Sequence, residues 1–476
     1  MIELLPHQVE GVEFITERES VLLADSMGLG KTAQAIQAML RNQHWLPAVV
    51  VCPASLKYNW RDEFWKNGSR LPVSVCDGRE PPAKTSEFDL SVSPVHVINY
   101  SILPYWVDYF KSIGVRTVVF DEIQDLTNPK AKKTKAAQKL SAFCDRSIGL
   151  SGTPLYNRPI ELWPIANMLW PGKLGGFRDY TERYCDARLM PWGWDYSGAS
   201  NLDELHHQLY GLGMLRRKKS ALNLPPKTRK IETVAVDDDD EYNLCRDDYE
   251  SWLMRFAPER RAKALKAKKL TQIGNLMRLS SRLKMRSVIS WVNSFLHRTD
   301  EKIVLFAYHK KAINLLQRHI NAKCVSLTGS TMQHKRQMVV DQFQNDPETR
   351  VFIGNLIAAS TGITLTAARV VAMCELYYRP IDLLQAEDRV WRIGQTRPSW
   401  IYYLVANNTL EPAMCRLLQQ KQDIISAILD GDMIGEIDDF NIHEELQAEL
   451  NKDRQWLFPP NKNRNRKKQG RVRLNG

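Results

Sequence analysis

Short blocks of Val, Ile and Leu recur along this chain, separated by stretches with helical spacing. In the first third the blocks are Ser20–Ala24, Ala48–Cys52, Val95–Asn99, Thr117–Phe120 and Ser147–Leu150. Their apolar residues are consecutive rather than alternating, which suits strands buried on both faces of a parallel sheet. Amphipathic stretches such as Thr32–Arg41 lie between them, and strand–helix alternation predicts a doubly wound α/β sheet. The same pattern returns in Lys302–Ala307, Lys323–Leu327, Arg350–Gly354, Val370–Cys374 and Ile401–Val405.

The expected fold class is therefore α/β: two doubly wound parallel-sheet domains in tandem, with helical insertions. The first is expected over residues 1–235, with an inserted protrusion near 160–215, where Trp, Tyr, Gly and Pro are frequent. A basic helical protrusion or linker follows over 236–297, and the second domain over 298–435. Residues 436–476 form a C-terminal extension ending in a basic tail after Pro459-Pro460.

Charge sharpens this division. The net charge is +12, yet residues 255–286 hold eleven Lys/Arg against one acid, and residues 459–476 hold seven against none. The rest of the chain is mildly acidic. Concentrated cation of this kind is an electrostatic footprint for a polyanion, here nucleic acid, although a solvated tail is an equal reading of 459–476. The Asp237–Asp240 run suits a solvated loop or helix start. The eight cysteines are scattered with no Cys-x-x-Cys, which points to reduced intracellular thiols and excludes a zinc site or disulfide framework. No run approaches the roughly 20 apolar residues of a membrane helix.

Three groups carry chemistry. Asp25-Ser26-Met27-Gly28-Leu29-Gly30-Lys31-Thr32 follows a predicted strand and opens a predicted helix. Glycines admit backbone amides to phosphate oxygens, and the helix N-terminus favours anions. In such a loop Lys31 reaches the β- and γ-phosphates of ATP and Thr32 binds Mg2+; Asp25 stands where the strict pattern has Gly. Asp121-Glu122 ends an apolar run, with Asp121 suited to the Mg2+ shell and Glu122 to the attacking water. Arg389 and Arg392, three apart on an expected helix, can spread charge off a transferring phosphoryl group. Taken alone, an ordinary surface ion-pairing role is the commoner meaning of such a pair. Gln8, after Pro6-His7, can donate and accept at one edge of adenine.

In their order these motifs resemble the SWI/SNF-type ATPases of helicase superfamily 2 over roughly residues 1–430. The resemblance rests on Leu4-Leu5-Pro6-His7-Gln8, Asp25–Thr32, Cys52–Leu56 with Asn59-Trp60, Asn99-Tyr100, Asp121–Gln124, and Ser151–Pro154 with Asn157 and Glu161-Leu162. It continues through Leu215–Lys218, Leu224–Lys227, Ile303–His309, Ala358–Ala368 and Gln385–Gln395. The last two are most similar to the branch of annealing helicases and fork-remodelling enzymes.

The resemblance implies two RecA-like domains and an ATP-driven, Mg2+-dependent translocase on double-stranded or branched DNA. It implies that Gln8 contacts adenine, that Asp25, Met27, Gly28, Leu29, Gly30, Lys31 and Thr32 hold the nucleotide, and that Arg389 and Arg392 act as fingers. Gln124, Ser151, Thr153, Gln385 and Gln395 fall in coupling motifs. Ser55, Asn59, Trp60, Tyr100 and Gly362 fall in motifs lining the DNA path. The usual Asp-Glu-Ala-His is Asp121-Glu122-Ile123-Gln124 here, Ser26 replaces a usual Glu, and Trp391 replaces a usual His. A chain reduced to the motor suggests a monomeric bacterial or phage protein in the cytoplasm, or a nuclear one if eukaryotic. A strand-separating DNA or RNA helicase and an ATP-regulated DNA clamp are the alternatives.

Overall fold

The computed structural model describes residues 3–81, 93–191, 193–219, 222–237, 239–266, 268–359 and 363–431. The first sheet comprises β1 (Ser20–Leu23), β2 (Ala48–Cys52), β3 (Val73–Val75), β4 (Val95–Asn99), β5 (Thr117–Asp121), β6 (Arg146–Leu150) and, after the small antiparallel hairpin β7 (Arg188–Met190) and β8 (Gly193–Asp195), β9 (Met214–Leu215). Its order is β3-β4-β2-β5-β6-β1-β9, all parallel. Successive residues feed opposite cores: Val49 and Val51 enter one cluster, Ala48, Val50 and Cys52 the other. The unbroken apolar runs arise from this two-sided burial.

The second sheet comprises β10 (Lys227–Val234), β11 (Ile303–Ala307), β12 (Cys324–Leu327), β13 (Val351–Asn355), β14 (Val370–Met373) and β15 (Ser399–Ala406). Its order is β10-β15-β14-β11-β13-β12, again all parallel. The tandem α/β architecture is as expected.

The domain limits differ from expectation in two places. β10 pairs with β15 from Lys227 to Val234, so the chain has joined the second sheet well before residue 235. Lys-Thr-Arg-Lys-Ile-Glu-Thr-Val carries no apolar run because it is a charged edge strand. The segment 236–297 is not a free-standing protrusion. The helix Lys268–Leu283 buries Ile273, Leu276 and Leu279 in the core containing Val304 and Phe306, and the helix Met285–Arg298 covers the opposite face with Val288 and Val292. Lys284, wholly buried, pairs with Glu411 at 2.8 Å and closes this joint.

The helix Glu411–Asp430 spans both domains. Its Met414, Leu417 and Leu418 belong to the second domain's core; its Ile424, Ile425 and Ile428 belong to the first's. Burying each such side chain stabilises the docking by about 1.5–3 kcal/mol. Among the described residues no helix is long and apolar enough to cross a membrane. All eight cysteines are unpaired.

Candidate active site

β1 ends at Leu23, and the chain turns through the loop into the helix Lys31–Arg41. Gly28 and Gly30 have φ of +84° and +79°, a region that favours glycine, and a side chain at Gly30 would collide with the Gln8 amide. Such a loop at a helix N-terminus is a shape that receives phosphate. Lys31 Nζ donates to the carbonyls of Asp25 at 2.6 Å and Ser26 at 3.3 Å. Burial draws its pKa below the ordinary lysine value, against the pull of Asp25 and Glu122. The Gln8 amide lies across the loop, accepting from Leu5 N at 3.0 Å and donating to Leu29 O at 3.4 Å.

Asp25 departs from its expected role. Its carboxylate is fully buried and faces Arg217, which donates from Nε at 2.9 Å and Nη2 at 2.5 Å, while Arg217 also donates to His7 O and to Gln34 Oε1. The side chain is thus committed to an ion pair and is not free for nucleotide; only its carbonyl faces Lys31.

Across the sheet, Asp121 closes β5 and Glu122 follows in a left-handed conformation, φ +52°. For a residue with a β-carbon this costs about 1–2 kcal/mol and is characteristic of functional sites. Asp121 accepts from Trp60 Nε1 at 2.7 Å and from Glu122 N at 3.0 Å. Burial first, and then the Glu122 charge, push the Asp121 carboxyl up to about 7, with Trp60 and Lys31 opposing.

Trp60 and Tyr100 are therefore not in the DNA path as expected. They are 1% and 3% exposed, and Tyr100 donates its hydroxyl to Asp121 O at 2.8 Å. Both fasten the end of β5. Ser55 and Asn59, at the turn Ala54–Leu56 and on the helix Lys57–Lys66, are partly exposed.

From Glu122 a buried chain of hydrogen bonds leads away. Gln124 Nε2 donates to Glu122 Oε2 at 2.5 Å, Ser151 Oγ donates to Gln124 Oε1 at 2.6 Å, and Thr153 N donates to Ser151 Oγ at 2.9 Å.

Arg389 and Arg392 are not on a helix. The helix Pro380–Glu387 ends before them, and they ride the irregular turn that follows. Both guanidinium groups donate to Ile363 O, at 3.2 and 3.1 Å. Burial lowers the Arg389 pKa to about 10, with Arg392 adding to the fall and Asp388 and Glu122 opposing it. The turn meets the phosphate loop: a β-carbon placed on Gly28 would lie 3.7 Å from Arg392 Cβ. Gln385 is buried, and its carbonyl accepts from Arg389 Nε at 3.0 Å. Gln395 ties its own turn, donating to Ala368 O at 2.8 Å and accepting from Arg397 N at 3.1 Å. Gly362 and the tail 459–476 lie outside the described residues.

The sequence reading assigned no role to the strap that leads from β9 into β10. Besides Arg217, Arg216 reaches Ala24 O at 2.7 Å, Gly152 O at 2.8 Å and Asp430 at 2.9 Å. Lys227 and Arg229 both bind Glu387 at 2.7 Å and hold its carboxyl at about 2 despite full burial. The available signal was four consecutive cations, Arg216–Lys219, in a mildly acidic setting.

Comparison with known proteins adds the following. A profile of the SNF2-related domain matches residues 7–345. The Xenopus tropicalis SWI/SNF-related matrix-associated actin-dependent regulator of chromatin subfamily A-like protein 1 is 35% identical over 431 residues, 89% of this chain and 44% of that protein. The human DNA annealing helicase and endonuclease ZRANB3 is 32% identical over 475 residues, 96% of this chain and 42% of that protein. The chain thus spans less than half the length of these relatives. Among solved structures, the Sulfolobus solfataricus SWI2/SNF2 ATPase core in complex with dsDNA is similar over 90% of this chain and 94% of its own, at 24% identity and a TM-score of 0.41.

Proposed function

This chain belongs to the SNF2-related family, and from that premise we propose that it is a DNA-dependent ATP hydrolase that translocates on double-stranded DNA and remodels DNA or protein–DNA complexes. The observation that carries the reading is the approach of Arg392 to Gly28, which makes the phosphate loop and the arginine turn two walls of one cleft.

In that cleft, Lys31 and the loop amides bind the β- and γ-phosphates. Glu122 takes the proton of a water attacking the γ-phosphorus as the bond to the bridging oxygen breaks. Arg389 and Arg392 spread the charge that develops, so hydrolysis requires both domains. The residues present fit Mg2+: Thr32 lies in the first turn of the helix, and Asp121 is a buried carboxyl whose pKa is raised chiefly by burial and then by the Glu122 charge, which a cation would offset. Bound there, Mg2+ would neutralise phosphate charge. The Glu122–Gln124–Ser151–Thr153 chain gives a route from the water-activating carboxylate to the segment that follows β6.

Double-stranded DNA is the inferred track because the cations concentrated in 255–286, the buried Lys284 apart, would supply phosphate contacts, and the annealing activity in one relative's name favours branched DNA. The test is ATP hydrolysis with and without duplex, forked and single-stranded DNA. Strong stimulation by duplex or fork, falling steeply with salt, is expected; equal rates with and without DNA would sink the proposal. Displacement of a triplex strand without duplex unwinding separates translocation from strand separation.

A further inference from the structure

Lys219 sits where strap, loop and finger turn meet, and no role has yet been given to it. It is 7% exposed. Its Nζ pairs with Asp388 Oδ1 at 2.7 Å, donates to Trp391 O at 2.9 Å, and lies 4.7 Å from the centre of the Trp391 ring. A β-carbon on Gly28 would lie 3.8 Å from Lys219 Cε and 3.9 Å from its Nζ. The same ring takes Lys227 Nζ at 4.4 Å, and its indole N–H donates to Pro225 O at 2.7 Å. Asp388 and Trp391 flank Arg389, and Trp391 precedes Arg392. The finger turn is thus held by Ile363–Ala368 within its own domain and, from the strap, by Lys219, Pro225 and Lys227.

The geometry points to Lys219 as a positioning residue of the ATP site: its ammonium fixes the backbone of the turn carrying Arg389 and Arg392 against the phosphate loop. This inference rests on the ATPase reading for its kinetic consequence, but the positioning itself is independent of it. Trp391 then has a definite use, since its ring lies against two lysine ammonium groups and its N–H donates to the strap. An imidazole has less ring surface for that contact. Lys219 is also the component of the clasp that titrates near neutrality. Burial lowers it to about 8, with Lys227 and Arg389 adding to the fall and Asp388 opposing it. The charged groups facing it are Asp388, Lys227 and Arg389, with Arg392 beside it over Gly28.

The ammonium is present below about pH 8 and is lost as pH rises through that value. DNA-stimulated kcat of the wild type should therefore fall on the alkaline side. Lys219→Arg keeps its charge at every such pH and should move or remove that fall while retaining activity near pH 7. Lys219→Met should lower kcat by about tenfold or more, since small misplacements of catalytic groups cost that much, with the KM for ATP and DNA affinity changed far less. A second measurement needs no catalysis: amide hydrogen exchange over 386–395 should be faster in Lys219→Met than in wild type, with exchange in β1 and β5 unchanged. An inactive wild type would defeat the ATPase reading and leave this exchange measurement to decide. Unchanged exchange over 386–395, or an alkaline fall with the same midpoint in Lys219→Arg and wild type, would overturn the proposal.

Discussion

On the cradle side of the cleft, Gly28, Gly30, Lys31 and Thr32 lie within one strand-to-helix turn, and Asp121 and Glu122 end a neighbouring strand of the same sheet. On the finger side, Arg389 and Arg392 ride an irregular turn held by Ile363 O and by Lys219, 172 residues before Trp391, while Arg229 holds Glu387 just ahead of it. The cradle's shape follows from local backbone geometry; the fingers' position depends on a strap that binds both domains. Nucleotide binding should therefore be robust to changes in the strap, and hydrolysis should not.

The largest effect is expected where the two walls act together. Arg389→Ala should lower DNA-stimulated kcat on the order of 10³-fold while nucleotide binding persists. Lys31→Ala should lose both hydrolysis and tight nucleotide binding. Single-turnover hydrolysis and equilibrium binding of a fluorescent nucleotide separate these cases. If Arg389→Ala hydrolyses ATP within about threefold of wild type, the cleft is not the working site and the comparison collapses.

Next comes the place where a buried charge of the cradle depends on the strap. Asp25 is buried against Arg217, which belongs to the strap. Removing one partner of a buried pair leaves an uncompensated charge and costs about 3–5 kcal/mol. Asp25→Ala should lower the urea midpoint accordingly, and the double change Asp25→Ala with Arg217→Met should recover much of it. No recovery would mean that Asp25 serves the loop directly and not through Arg217.

A smaller loss is expected at the docking helix. Ile428→Ala, in the half of Glu411–Asp430 that packs on the first domain, should cost about 2–5 kcal/mol for a buried Ile. The loss should appear in domain docking, read by fluorescence transfer between dyes on the two domains, and in hydrolysis, but not in nucleotide affinity. Equal weakening of nucleotide affinity would show that the cradle leans on the second domain more than its local geometry implies.

The same contrast explains what could be read in advance. The core strands of both sheets were legible because two-sided burial demands unbroken apolar runs, and the expected limits agree with β2 and β4 to the residue and with β1, β5 and β6 to within one. β10 was not legible, because an edge strand of Lys, Arg, Thr and Glu has no such run. Gly28–Thr32 and Asp121-Glu122 carry their geometry in adjacent residues. Trp60 and Tyr100 carried the opposite hint: a motif position suggested DNA, while an aromatic ring's ordinary tendency to be buried gives the placement found here. The strap's motifs, Leu215–Lys218 and Leu224–Lys227, were visible but its contacts were not, since the partners of Arg217 and Lys219 are chosen by tertiary folding and not by spacing.

The mildest change tests the far end of the cradle. The Gln124 amide donates to Glu122 and accepts from Ser151, and as a neutral group it does both at every pH. A neutral imidazole also offers one donor and one acceptor, so Gln124→His should keep kcat within about threefold at pH 8. Below its pKa the imidazole donates from both nitrogens and carries a positive charge beside Glu122. That charge favours the carboxylate and weakens it as a base. Because the carboxylate in turn stabilises the imidazolium, the folded pKa of the new histidine should exceed its ordinary value of about 6.5. The variant should thus gain an acid limb of its own, besides the one that protonation of Asp121 imposes on both proteins, with activity rising as pH climbs through the raised pKa. By the same linkage, any stability the imidazolium adds should be present below about pH 6.5 and vanish as pH rises through its folded value. Superimposable pH profiles for variant and wild type would mean that position 124 has no electrical contact with Glu122, and the hydrogen-bonded chain to Thr153 would lose its claim to carry the hydrolytic state out of the site.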